Sequence, residues 1–79
     1  MSPELIAELI QAGLPGAMVE VYGDDGVHFE ALVVYEAFQG KLPLARHRMV
    51  YHALGELMQD PIHALAISAR SPEETKGKQ

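Results

Sequence analysis

Apolar residues recur at helical spacing near the start of the chain. Leu5, Ile6, Leu9 and Ile10 fall on one stripe, with Glu4, Glu8 and Gln11 pointing away from it. Ser2 suits the cap of such a helix, Pro3 its first position and Gly13 its stop. "SPELIAELIQAG" therefore predicts a helix, which "LPG" breaks. The period then changes to two. Val19 and Val21 alternate with Glu20, and Phe29, Ala31 and Val33 alternate with Glu30. Between them "GDDG", Gly23 to Gly26, supplies the positive-φ residues that tight hairpin turns use. The second strand becomes wholly apolar at "ALVV", which predicts a central position in the sheet.

"AFQGKLP", Ala37 to Pro43, reads as a connector. A second helix is expected from about Leu44 to Met58, with Val50, Leu54 and Leu57 on its inner face. Arg48, His52, Gly55 and Gln59 lie opposite, and Arg46 and His47 on the two shoulders. "IHALAISA", Ile62 to Ala69, reads as a third strand. "SPEE", Ser71 to Glu74, reads as a capping box opening a short last helix, and residues 75–79 as a frayed tail. The element order is α-β-β-α-β-α. The expected fold class is α+β, a three-stranded sheet with helices packed on one face. Val19, Val21, Phe29, Val33, Val50, Leu54, Leu57, Leu65 and Ile67 form the expected core.

Composition narrows the function classes. A chain of 79 residues with 48% hydrophobic residues supports one small domain, here residues 1–79, and excludes intrinsic disorder. It has no cysteine, so it can build no disulfide, thiol nucleophile or thiolate metal site. No apolar run approaches the roughly 20 residues that cross a bilayer, and the N-terminal stretch carries Glu4 and Glu8 rather than a basic start. The expectation is a soluble cytoplasmic monomer. A net charge of −5 works against sequence-independent nucleic-acid binding. The local cluster Lys41, Arg46, His47 and Arg48 runs the other way.

No nucleophile elbow or phosphate loop is present, and Ser2 and Ser71 already have structural assignments. That leaves the histidines. His28 follows the hairpin turn on the parity of Glu30, which suits a solvated strand residue. His47 suits half-buried packing, and His52 a solvated helix face. His63 opens an otherwise apolar strand, so it is either hydrogen-bonded at the sheet edge or aimed at a ligand. Two imidazoles do not close a metal site, but they can complete one supplied by a partner.

"VHF" (27–29), "VVYEAFQGK" (33–41), "LARHRMVYHAL" (44–54), "IHALAI" (62–67) and "SPEE" (71–74) together resemble the BolA family, in the family's order and over nearly the whole chain. The short "GDDGVH" loop is similar to that of the YrbA-like branch. The resemblance implies a fold similar to a type II KH domain and a non-enzymatic role. The implied partner is a monothiol glutaredoxin with a Cys-Gly-Phe-Ser active site. The two proteins would share a [2Fe-2S] cluster, with the glutaredoxin cysteine and glutathione as ligands on one side, in iron–sulfur trafficking or redox and stress regulation. The family's C-terminal-strand histidine falls on His63. Its second ligand, from the hairpin loop, falls either on His28 or near Asp25. Lys41, Arg46, His47 and Arg48 are then the partner-binding segment. The KH-like fold and the Arg46-His47-Arg48 run also carry an alternative reading as a DNA-binding transcriptional regulator.

Overall fold

The structure, a computed structural model, describes residues 2–23, 25, 27–55 and 64–76. Helix α1 spans Pro3–Gly13 and starts as its sequence demands: Ser2 has extended backbone, and its Oγ accepts the Leu5 N–H at 3.2 Å. Ile6 and Ile10 are fully buried, while Leu5 turns outward and is 42% exposed. Strands β1 (Met18–Tyr22) and β2 (His28–Val34) pair antiparallel, with Val19 opposite Val33 and Val21 opposite Ala31. Helix α2 (Pro43–Leu54) leads to strand β3 (Ala64–Arg70), which runs parallel to β2 and sets Phe29 beside Leu65 and Ala31 beside Ile67. The sheet order is β1-β2-β3, so β2 is central as its apolar run predicted.

Alternation then decides which side chains meet the helices. Phe29, Ala31 and Val33 are buried beneath α1 and α2, flanked by half-buried Val19, Val21, Leu65, Ile67 and Ala69. Met18, Glu20, Tyr22, Glu30 and Ala66 occupy the opposite face and are exposed. The phase of α2 agrees with its wheel: Val50 and Leu54 are buried, and Arg48 and His52 exposed. Leu57 lies outside the described residues. So does the stretch of the expected second helix from residue 56 to 58; α2 itself ends at Leu54, capped by Gly55 at φ 61° and ψ −131°. Among the described residues no helix is long and apolar enough to cross a membrane.

The last helix, α3 (Pro72–Lys76), extends through Thr75 and Lys76, two positions that the sequence reads as frayed tail. Its box closes reciprocally: the Glu74 N–H donates to Ser71 Oγ at 3.2 Å and the Ser71 N–H to Glu74 Oε1 at 3.1 Å.

Gly13 has a role the stop signal did not convey. A Cβ there would sit 2.5 Å from Ala53 Cβ, so the glycine lets α1 close against α2. Gly13→Ala is therefore expected to destabilise by about 1–3 kcal/mol through overpacking, although alanine is the better helix former. Urea titration checks this; Ala53→Gly in the same chain should restore only part of the loss, because the Ala53 Cα would still lie 3.0 Å from the new Cβ and glycine is the poorer helix former. A Gly13→Ala protein as stable as the parent would show that the helices have room to part.

Candidate functional site

The turn before β2 is organised by one carboxylate. Asp25 Oδ1 accepts the N–H groups of Val27 (2.9 Å) and His28 (2.8 Å), a local side-chain-to-backbone turn. Its other oxygen, Oδ2, lies 2.8 Å from His28 Nδ1. The His28 hydrogen bond and these two amides hold the Asp25 carboxyl well below the usual carboxylate range. The imidazole side chain is 71% exposed, so one nitrogen is engaged while the ring remains open to solvent. It borders an open depression of about 820 Å³ that is also lined by Val21, Tyr22, Gly23 and Phe29.

Gly23 corrects part of the hairpin expectation. It does not have positive φ. Instead, a Cβ would fall 2.6 Å from the Phe29 ring and 2.8 Å from the His28 carbonyl oxygen, so the position is small because β2 passes so close. The spacing from Asp25 to His28 was visible in the sequence. That the two side chains meet follows from the turn.

In the β2–β3 register His28 pairs with Ala64, the residue that follows His63 in the chain. His63, the leading ligand candidate, lies outside the described residues. Among the described residues no three His, Cys, Asp or Glu side chains converge as a metal site.

The basic segment divides. Arg46 departs from its expected place on a partner-facing surface, being only 8% exposed. Its Nε donates to the Lys41 carbonyl at 2.8 Å and one terminal nitrogen to the Ala69 carbonyl at 2.9 Å. Both terminal nitrogens reach the Glu74 carboxylate at 2.7 Å. The guanidinium carbon lies 5.9 Å from the centroid of the fully buried Phe38 ring. A long stem on the shoulder of α2 can pass along apolar surface and hand its charge to a distant carboxylate, which is what moves Arg46 inward. The bidentate arginine, helped by the Ser71 N–H, holds the Glu74 carboxyl down at about 2, and Glu74 raises Arg46 further.

Arg48 and Lys41 are exposed, and neither makes an ion pair among the described residues. His47 is half-buried, with its ring edge-on to Tyr51 at 6.5 Å. The outer surface of α2 also carries exposed His52, Leu44 and Tyr51, with Leu42 just before it and no acidic residue in the helix. It is a cationic, partly apolar face on an acidic chain.

Comparison with known proteins places the chain in a class. A family model described as BolA-like protein matches residues 11–74, and the chain belongs to that family. It is 51% identical over 49 residues to BolA-like protein 1 of Bos taurus, a match covering 62% of this chain and 36% of the bovine protein. It is 45% identical over 53 residues to SufE-like protein 1, chloroplastic/mitochondrial, of Arabidopsis thaliana, covering 66% of this chain and 14% of that protein. These matches thus span about a third or less of the two relatives' lengths. Among solved structures, that of a bolA protein homologue from Coxiella burnetii superposes with a TM-score of 0.87 at 42% identity, covering 96% of this chain and 97% of that one.

Proposed function

We propose that this chain is a non-enzymatic adaptor that binds a monothiol glutaredoxin and shares a [2Fe-2S] cluster with it, using His63 and His28 as its own ligands. The observation that supports this best is His28: an exposed imidazole, anchored through one nitrogen, at the start of the strand whose register partner follows His63. The donor set fits the group. With no thiolate in the chain, imidazole is the neutral nitrogen donor it can offer here, and two imidazoles on one iron are established [2Fe-2S] chemistry. The cluster supplies the sulfide-bridged iron. The chain supplies imidazole nitrogens and a docking surface, for which exposed Arg48 and Lys41 offer a cationic rim, with His47 beside them. A family match filling only 14% of a longer relative supports use of the fold as a module. A role in iron–sulfur trafficking or redox and stress regulation in the cytoplasm completes the proposal, in keeping with a cysteine-free composition.

The DNA-binding alternative leans on the Arg46-His47-Arg48 run. Arg46 is committed to Glu74, which leaves one exposed arginine in that run and favours the adaptor reading.

Mixing the protein with a monothiol glutaredoxin, glutathione, iron and sulfide, and recording visible circular dichroism, tests the proposal. His63→Ala is expected to abolish or reshape the cluster spectrum with the far-ultraviolet spectrum unchanged, and His28→Ala to reshape it. His47→Ala and His52→Ala should leave it as in the parent. An unchanged spectrum from His63→Ala would remove the ligand assignment.

A further inference from the structure

His28 raises a question of proton position. A neutral imidazole carries one N–H and one lone pair, and only the lone pair can bind a metal. An ionised carboxylate only accepts hydrogen bonds, so a 2.8 Å contact between Asp25 Oδ2 and His28 Nδ1 requires the proton on Nδ1. The lone pair is then on Nε2, on a ring that is 71% exposed. Asp25 cannot easily turn away, because its other oxygen holds the Val27 and His28 amides.

We propose that Asp25 is a positioning residue that fixes His28 as the Nδ1–H tautomer and so presents Nε2 to a metal held jointly with a partner. The metal half of this inference rests on the adaptor reading; the tautomer half does not. The same geometry decides between the two loop candidates. Both Asp25 oxygens are engaged in shaping the turn, so His28 is the donor and Asp25 its support. A carboxylate behind a ligating imidazole fixes ring orientation and strengthens the nitrogen donor, and losing such a support typically costs about 10–100-fold in metal affinity. Binding through Nε2 displaces no proton from the ring, since that nitrogen carries none.

Asp25→Asn separates the proton from the turn. The Asn Oδ1 can still accept the two backbone amides, but an NH2 group now faces Nδ1 and donates to it, which drives the ring proton to Nε2. The experiment is a long-range ¹H–¹⁵N imidazole spectrum of the metal-free protein at about pH 8, where imidazoles are neutral, with His28 assigned by its absence from His28→Ala. The expected result is Nδ1–H in the parent and Nε2–H in Asp25→Asn, with the Val27 and His28 amide shifts retained. A parent His28 in the Nε2–H form, or an Asp25→Asn ring unchanged in tautomer, would overturn the inference. In the glutaredoxin complex, Asp25→Asn should move the cluster spectrum toward that of His28→Ala and weaken retention of the cluster about 10–100-fold. A switched tautomer with an unchanged cluster overturns the metal half. If the parent forms no cluster, the adaptor reading fails and the tautomer spectra alone decide the role of Asp25.

Discussion

Phe38→Ala is expected to leave the protein only marginally folded. The Phe38 ring is fully buried, meets Tyr35 edge-on at 5.4 Å and lies beneath the Arg46 guanidinium. Truncating a buried phenylalanine costs about 3–5 kcal/mol, from lost transfer energy and the cavity left behind. At roughly 0.05–0.15 kcal/mol per residue, a chain of this length has a total stability of only about 4–12 kcal/mol. One side chain in a three-residue 3-10 turn (Glu36–Phe38) therefore accounts for a large share of the whole. The urea midpoint should fall steeply for Phe38→Ala and much less for Phe38→Leu, which refills most of the volume. A midpoint within error of the parent for Phe38→Ala would mean that the neighbouring residues collapse to fill the space.

Acid is expected to weaken the fold through Arg46 and Glu74. The folded Glu74 carboxyl titrates at about 2, against an ordinary 4.5. A depressed acid of this kind stabilises the native state fully above its unfolded pKa and loses that contribution as pH falls toward the folded one. The window therefore runs from about 4.5 down to about 2. Arg46, already charged at any usable pH and raised further, adds no alkaline limb. Glu74→Gln and Arg46→Ala should each lower the urea midpoint at neutral pH and flatten its slope across the acid window. Their double variant isolates the pair from the chain's other carboxylates. Arg46→Lys should not rescue, because an ammonium cannot span both carboxylate oxygens while also serving the Lys41 and Ala69 carbonyls. Arg48→Ala, whose side chain is exposed, should change neither midpoint nor slope. Equal acid sensitivity in the parent and the double variant would show that the pair contributes nothing measurable.

The sequence by itself determined everything that repeats over a short span. The turn of α1, the alternation of β1 and β2, the inner and outer faces of α2 and the Ser71–Glu74 box all follow from spacings of two to four residues. Those patterns suffice for the element order and the central place of β2. The exposure of His28 also followed from its parity. Tertiary structure decided the rest. Phe38 sits in a segment with no period, so nothing local distinguishes it from a connector residue. Arg46 stands on a helix shoulder, where periodicity is silent, and its partners Ala69 and Glu74 are 23 and 28 residues away. Gly13 and Gly23 read as punctuation and prove to be clearances for Ala53 and for Phe29 with the His28 backbone. Asp25 read as a turn residue, and its hold on the His28 ring exists only once the turn brings the two together. Periodicity records which side of an element meets the core. It carries no record of which distant group a side chain will find there, because that depends on how the elements pack.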